Sequence, residues 1–406
     1  MHDVAIVGGG PVGMTMALAL ARSMPGIQVA LLDRREFAVP RDQRASAIAA
    51  GVRRVLEALD IWPAVAGAAS PVRQMKITDS GAGDLSRPLF LSFAGEVAPG
   101  EAFAHLVPNR VLAAALLEAI EGKVELLAPV QIAGLAAEAA SGRLDLADGR
   151  SVRAPLVIAA DGQNSALRAM AGITTIAHDY AQSGIVTTIR HALDHEGTAY
   201  EHFRPAGPFA SLPLLDAEGR GTRSSLVWTE SREAAAGYRE MPLPQLAAAI
   251  EAAMGSCLGA VEAEEPAQIF PLRMQLARAL VAPRLALIGD AAHVVHPIAG
   301  QGLNLGLKDV AALSEVVIEA TRLGLDHGGT EVLERYQRWR RLDNALMAMV
   351  TDGMNRLFSN DVAPVRALRD IGLGLVDRVP PLKQAMIGRA AGLERGGPRL
   401  LGGRPI

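Results

Sequence analysis

A single cysteine, Cys257, is all the sulfhydryl chemistry this 406-residue sequence has, which excludes an intrachain disulfide framework and a cysteine zinc site. A reducing, cytosolic compartment is the matching expectation. The chain also lacks charge of one sign: 40 Lys and Arg stand against 43 Asp and Glu, a formal net charge of −3. That balance leaves no electrostatic footprint for a nucleic-acid partner. The opening residues show no basic stretch followed by an apolar stretch and a cleavage site, so no secretory leader is expected. Uninterrupted apolar runs are missing as well. Val4 to Ala21 is uncharged over 18 residues but contains Gly8, Gly9, Gly10, Pro11 and Gly13, which argue for strand, turn and helix start instead of a membrane span. Ala291 to Leu307 is uncharged too, yet carries His293, His296, Pro297, Gln301 and Asn304. The expectation is a soluble chain, with attachment to a membrane from one side left open.

What is present is enough apolar material for a sizeable core, 50% of residues, over a length that suits two or three domains. Val4–Val7 reads as a buried parallel strand, Met14 to Arg22 as a helix and Val29 to Leu32 as a second strand, a βαβ unit. Asn109 to Ala119 reads as a helix with Asn109 at its N-cap. Asp148-Gly149, between Leu144–Leu146 and the strand Leu156–Ala159, is a hairpin signal. Leu285–Ile288 is another buried strand, followed by a long helix from about Gly302 to Leu323. Runs of mixed polarity at Thr187–Ile189, Tyr200–Phe203, Ala210–Leu212 and Ser225–Trp228 predict an antiparallel sheet with one wet or ligand-facing side, to which Ser70 to Gly95 adds strands. From Glu331 on the pattern is helical, ending in a Gly/Pro/Arg tail from Gly396 that is expected to be mobile.

Gly8-Gly9-Gly10-Pro11-Val12-Gly13 fits G-x-G-x-x-G, between a strand and a helix, with Asp33 closing the next strand twenty residues after Gly13. Gly8 makes the tight turn, Gly10 lets a pyrophosphate approach the backbone and Gly13 lets helix and strand pack closely. The helix N-terminus offers N–H groups to the pyrophosphate, and Asp33 suits a ribose diol. The fingerprint alone does not separate NAD from FAD. His293 and His296, three apart, have no third ligand nearby, so no metal site is expected.

Two further segments decide between the cofactors. Ala159-Ala160-Asp161-Gly162-Gln163-Asn164-Ser165 and Ile288-Gly289-Asp290-Ala291-Ala292-His293 each follow a buried strand. With Gly8–Gly13 they resemble the three marks of the FAD-dependent aromatic hydroxylase superfamily (the p-hydroxybenzoate hydroxylase fold), over nearly the whole chain. The resemblance implies an α/β fold. A discontinuous Rossmann-like FAD-binding domain takes residues 1–69, 96–172 and 268–330. An antiparallel β-sheet substrate domain takes 70–95 and 173–267, and a helical region with its tail takes 331–406. It implies FAD contacts for Asp290, Asp161 and Gly162, and places Arg44 and Arg110 at the cofactor, although as residues alone these two also read as surface arginines. The segment His293 to Asp309 resembles the flavin-ring loop. Gly300, Gln301, Gly302, Leu303 and Asn304 would open a helix toward the ring, while His296, Pro297 and Gly300 shape the reacting side without supplying a firm acid or base.

Within the superfamily, this segment resembles the ubiquinone-biosynthesis hydroxylase branch, as do Tyr200-Glu201-His202-Phe203 with Gly207–Pro213, and Phe270-Pro271-Leu272. The implied activity is hydroxylation of the aromatic ring of a polyprenyl phenol, with NAD(P)H and O2 as co-substrates and an oxygen adduct at flavin C4a. Other readings stay open at this point: a hydroxylase of a small soluble aromatic compound, or a non-catalytic flavoprotein scaffold. The implied partners are the aromatic substrate, a ubiquinone-biosynthesis complex, the inner face of the membrane and a second copy of the chain. The basic, apolar stretch Val362 to Leu393 suits an anionic membrane or a partner protein, and equally a packed helical layer with a solvated face.

Overall fold

Four consecutive apolar residues at Val4–Val7 leave a strand with no polar side, so both of its faces have to be covered. The computed structural model of the chain describes residues 2–41, 44–79, 89–94, 96–358, 388, 391–393 and 396–406. In chain order its main elements begin with β1 (Val4–Val7), α1 (Pro11–Ser23), β2 (Val29–Leu32), β3 (Ala45–Ala49), α2 (Ala50–Ala58) and β4 (Gln74–Asp79). Next come β5 (Ala104–Pro108), α3 (Asn109–Ile120), β6 (Leu156–Ala159), β7 (Thr175–His191), β8 (Thr198–Arg204), β9 (Gly207–Leu214) and β10 (Arg223–Ser231). The series ends with α4 (Leu243–Met254), β11 (Gln268–Ala277), β12 (Leu285–Leu287), α5 (Gln301–Arg322) and α6 (Thr330–Phe358).

The first sheet runs Glu125–Leu127, β2, β1, β6, β12, all parallel, with Val281–Ala282 antiparallel at the edge. Every residue of β1, β2 and β6 is buried. Burying each Val, Leu or Ile there contributes about 1.5–3 kcal/mol. Helices α1, α3 and α5 supply apolar faces to the same core.

The second sheet has nine described strands. Its path is His293–Val294, β11, β7, β10, β9, β8, β4, Leu89–Ala94, with Val261–Ala263 added on β7. All pairs are antiparallel except β8 with β4. One face is covered by α4: Ile185, Phe209, Leu226 and Trp228 pack there with Leu246 and Ile250. The other face turns toward a small sheet of β3, β5 and Ser70–Val72, where Ala199, Leu212 and Leu214 meet Ala45, Ala47 and Leu106. Among the described residues no helix is long and apolar enough to cross a membrane.

Four local expectations change. Pro108, not Asn109, takes the N-cap of α3; Asn109 opens the helix and its Oδ1 accepts a hydrogen bond from Ser46 at 2.7 Å. The Asp148-Gly149 turn joins Gly142–Leu146 to Ser151–Ala154 and not to β6, because Pro155 breaks the strand and β6 is claimed by the parallel sheet. Residues 268–277 belong to the antiparallel sheet as β11, in register with β7 from Gln268↔Val186 to Ala277↔Thr175, so a sheet boundary at 268 falls too early. The terminal segment is docked, not mobile. Leu400 and Leu401 are buried apolar anchors, the Arg399 N–H donates to Glu315 at 2.7 Å, and Arg322 donates to the Ile406 carbonyl at 3.1 Å. The basic stretch Val362 to Leu393 lies almost entirely outside the described residues.

Candidate cofactor-binding and active site

Four segments singled out in the sequence begin where a parallel strand ends. Gly8–Gly13 follows β1, Asp33 follows β2, Asp161-Gly162 follows β6 and Gly289-Asp290 follows β12. Since β2, β1, β6 and β12 are consecutive neighbours, all four loops open on one edge of the sheet. Strand order reverses at β1, the position where open α/β sheets form a ligand crevice.

The glycines of the first loop divide by what surrounds them. A Cβ on Gly8, whose φ is 119°, would strike the Ala160 backbone, and one on Gly13 would strike the Gly8 carbonyl. These two are closed by protein. A Cβ on Gly10 would meet nothing within 4 Å, and the same holds at Gly162 and Gly302. These three expose bare backbone to open space. The Gly9 N–H donates to Asp33 Oδ2 at 2.6 Å and the Arg35 N–H to Oδ1 at 2.8 Å, so Asp33 fixes the glycine turn from the end of β2.

Asp161 accepts from the Leu167 N–H at 3.2 Å through Oδ2, while its buried Oδ1 has no partner. Arg168, which the sequence reading missed, is buried and bridges two of the loops: it donates to the Ala291 carbonyl at 2.8 Å and to the Gln163 carbonyl at 3.0 Å. Burial draws its pKa down from the usual arginine value, and Asp161 opposes that shift. Asp290 is open to solvent, yet the protein around it pushes its carboxyl pKa up, with His293 opposing. A carboxyl that is reachable and still poorly solvated lines a crevice.

Strand β3 ties the remaining residues together. At its start the Arg44 carbonyl accepts from the Asn109 N–H at 2.8 Å, beside Arg110, and the Arg44 guanidinium lies 5.0 Å from the centre of the Phe270 ring. Arg110 is exposed and lines an open depression with Val39 and Glu118. At the other end of β3, Asn304 Oδ1 accepts from the Ala49 N–H at 2.9 Å and its Nδ2 donates to the Ala47 carbonyl at 2.8 Å. Asn304 is 1% exposed, so its side chain is a clamp between α5 and β3, and the contact expected of this turn falls to its backbone N–H groups. Gly300 caps α5 at φ 62°, no side chain caps the helix, and its first turn has no acidic residue. Gln301, Gly302 and Leu303 form that turn.

Behind the loops lies a buried ionic network. Asp309 accepts from the Gly289 N–H at 3.0 Å, contacts His293 Nε2 at 2.6 Å and accepts from Arg340 Nε at 2.7 Å. Arg340 also donates to Asp343 and to Asn344. Burial alone would raise the Asp309 pKa, but the charges of His293 and Arg340 outweigh it and hold the carboxyl down at about 2. The Gly289-Asp290 turn is thus pinned to both long helices.

His296 is fully buried and neither ring nitrogen has a hydrogen-bond partner among the described residues. Burial pushes its pKa down to about 4, with Asp352 opposing, so the ring is neutral at physiological pH. Tyr180 meets it edge-to-face at 5.1 Å and donates from its hydroxyl to Asp352 at 3.0 Å. Pro297 follows, leading into the turn at Ile298–Gly300.

The sequence model of the FAD binding domain family matches residues 1–350. The chain belongs to this FAD-binding family. Ubiquinone hydroxylase UbiL of Rhodospirillum rubrum is 42% identical over all of this chain and 93% of its own length. The 3-demethoxyubiquinol 3-hydroxylase of Escherichia coli is 37% identical over 96% of this chain and 98% of its own. Among solved structures, p-nitrophenol 4-monooxygenase PnpA from Pseudomonas putida superposes with a TM-score of 0.78 at 19% identity, over 97% of this chain and 99% of that one, a likeness of fold.

The crevice of this family member fits FAD. Three glycines leave backbone bare along it, Asp161 Oδ1 and both His296 nitrogens are buried without protein partners, and Asp290 offers an accessible carboxyl. Arg168, Asp309, Arg340 and the Asn304 clamp complete the frame.

Proposed function

We propose that the protein is an FAD-dependent monooxygenase that hydroxylates the aromatic ring of a polyprenyl phenol in ubiquinone biosynthesis, with NAD(P)H and O2 as co-substrates. The observation that carries this is the convergence of four strand-end loops on one crevice, in a chain whose full-length relatives include ubiquinone hydroxylases.

The chemistry FAD supplies when bound is acceptance of a hydride from NAD(P)H and activation of dioxygen. The protein's own residues bind, orient and keep dry. The open backbone at Gly10 and the start of α1 admit the pyrophosphate, where a helix N-terminus presents about half an elementary charge. Gly8 and Gly13 close the turn beneath it, and Asp33 holds that turn beside the ribose. Asp161, Gly162 and Asp290 would hold the cofactor from the strand-end loops, with Arg44 and Arg110 as its cationic contacts. The uncapped turn Gly300–Leu303 faces the ring edge that gains negative charge on reduction. His296, neutral and edge-to-face with Tyr180, forms with Pro297 a wall that carries no charge to the reacting side. A dry wall matters because water there would divert the activated oxygen to hydrogen peroxide.

A polyprenyl substrate resides in lipid, so the proposal extends to contact with the inner face of the membrane and with other ubiquinone-biosynthesis proteins. Exposed Leu342, Met349 and Val350 on α6 support an apolar approach surface. The test is chemical and genetic. Deletion of the gene should accumulate a quinone precursor lacking one ring hydroxyl, and unchanged ubiquinone in the deletion strain contradicts the proposal.

A further inference from the structure

We propose that Glu201 is the catalytic base that takes the hydroxyl proton of the bound phenol, an assignment that rests on the aromatic-hydroxylase reading and gives it a substrate-activating residue. Strand register fixes which way Glu201 points. It is paired with Ala210 on β9 and Ile77 on β4, on the same face of β8 as Ala199 and Phe203. Ala199 packs in the cluster that contains Ala47, and Ala47 lies against Gly300, where an added Cβ would come within 3.0 Å of it. Phe203 packs with Ile77 and, from α6, Met354. Glu201 therefore sits between the β3 contact and the α6 contact, on the sheet face that looks toward the Gly300 turn. The opposite face, with Tyr200, is closed by α4.

Glu201 is 6% exposed and its carboxyl has no hydrogen bond or ion pair among the described residues. Its pKa is pushed up to about 7, with burial the cause. The described charged groups around it are engaged elsewhere. Lys76 lies over the Tyr200 ring and Arg204 over Trp228, both on the far face, and His202 contacts Thr78 there. His105 of β5 turns away onto Trp62, while Arg44 lies over Phe270. On α6, Asp352 is bonded to Tyr180 and paired with Arg356. Strand β9 has no charged residue. A folded protein rarely keeps an unpaired carboxylate out of water, because its desolvation costs several kcal/mol without return. Where one is kept, in an apolar wall beside a cofactor crevice, a ligand hydroxyl is the partner that satisfies it.

The step balances without any added reagent. The phenol O–H bond breaks, the proton passes to a Glu201 carboxylate oxygen, and the bonding pair stays on the phenol oxygen. Electron density rises at the ring carbons ortho and para to it, which attack the electrophilic oxygen supplied by the FAD and O2 chemistry. The carbon–oxygen bond forms as the O–O bond of the activated oxygen breaks; the ring C–H proton passes to the departing oxygen as aromaticity returns, and Glu201 gives its proton back to the phenol oxygen.

The experiment uses holoenzyme of wild type, Glu201→Gln and Glu201→Asp, with 2-geranylphenol as the probe. Infrared difference spectra on phenol binding above pH 7 should show a protonated carboxyl appearing in wild type, displaced in Glu201→Asp and absent in Glu201→Gln. Ultraviolet difference spectra should show bound phenolate in wild type and neutral phenol in Glu201→Gln. The glutamine variant should keep its FAD spectrum and a KM within about threefold, lose on the order of a hundredfold in kcat, and regain part of it as the aspartate variant. Bound phenolate unchanged in Glu201→Gln, or a wild-type pH profile in that variant, overturns the assignment and leaves the hydroxylase reading standing. If Glu201→Gln does not hold FAD, the wild-type and aspartate infrared spectra decide: identical carboxyl bands in the two overturn it. Failure of wild type itself to hydroxylate any prenylated phenol is failure of the broader reading.

Discussion

The two sheets solve different problems. In the parallel sheet, chemistry-bearing residues sit in short contiguous runs at strand ends, and each loop is anchored by charge: Asp33 on Gly9, Arg168 on Ala291 and Asp309 on Gly289. In the antiparallel sheet, the residues of each face alternate along long strands, so Glu201 and His202 are neighbours in sequence and strangers in space. The first region binds by backbone held rigid from behind. The second shapes an apolar wall and leaves one carboxyl in it.

The largest effect should come from breaking the ionic frame. Arg340→Met leaves Asp309 charged and buried without its arginine partner, and should cost about 3–5 kcal/mol in a denaturant titration, with loss of FAD. Its counterpart in the other sheet, Arg204→Met, removes a partly exposed pair with Glu230 and should cost no more than about 1 kcal/mol. Equal losses would erase the contrast between the regions.

Next is pH. His296 has a folded pKa of about 4 against an ordinary value of 6.5, so between those values the unfolded chain binds more protons than the folded one. Stability is therefore full above about pH 6.5 and declines as pH falls toward 4, by up to about 3 kcal/mol from this group. His105 adds a decline of the same sign. Melting curves of His296→Leu against wild type isolate the first contribution: the variant should lose less stability over that interval. Parallel curves for the two proteins contradict a buried neutral imidazole.

Glycine replacements sharpen the division within the first loop. Gly13→Ala forces a methyl into the Gly8 carbonyl and should destabilise the fold by about 1–3 kcal/mol, measured on protein without cofactor. Gly10→Ala meets open space and should leave that melting temperature unchanged, while weakening FAD by about tenfold, read by fluorescence titration. A destabilised Gly10→Ala protein would show that the loop is packed, not open.

The same contrast explains what was legible in the sequence. Gly8–Gly13, Asp33, Asp161-Gly162 and Gly289-Asp290 could be found because the bends they serve need particular residues at fixed offsets. The strands of the second sheet were legible from their runs of mixed polarity, and Ser70 to Gly95 was expected to add strands to the same layer, where β4 and Leu89–Ala94 lie. Arg168, Asp309 and Arg340 were not, because Asp309 meets its arginine 31 residues downstream on another helix and no local pattern marks the pair. Asn304 was found as part of the helix-opening turn, but its side-chain clamp was not foreseen: an amide at a helix start can serve a neighbouring strand. The tail was misjudged because Leu400-Leu401 is too short a run to outweigh the surrounding Gly, Pro and Arg. Strand alternation gives two faces for Glu201 and cannot say which one looks at the crevice; pairing with Ala210 and Ile77 decides that.

The most direct test of the central claim is an absorption titration of the purified, folded chain with FAD, followed by NAD(P)H and a prenylated phenol. The predicted result is a yellow one-to-one complex whose visible band bleaches on reduction and returns with air. A well-folded protein that stays colourless in excess FAD contradicts the convergence of the four loops on a flavin.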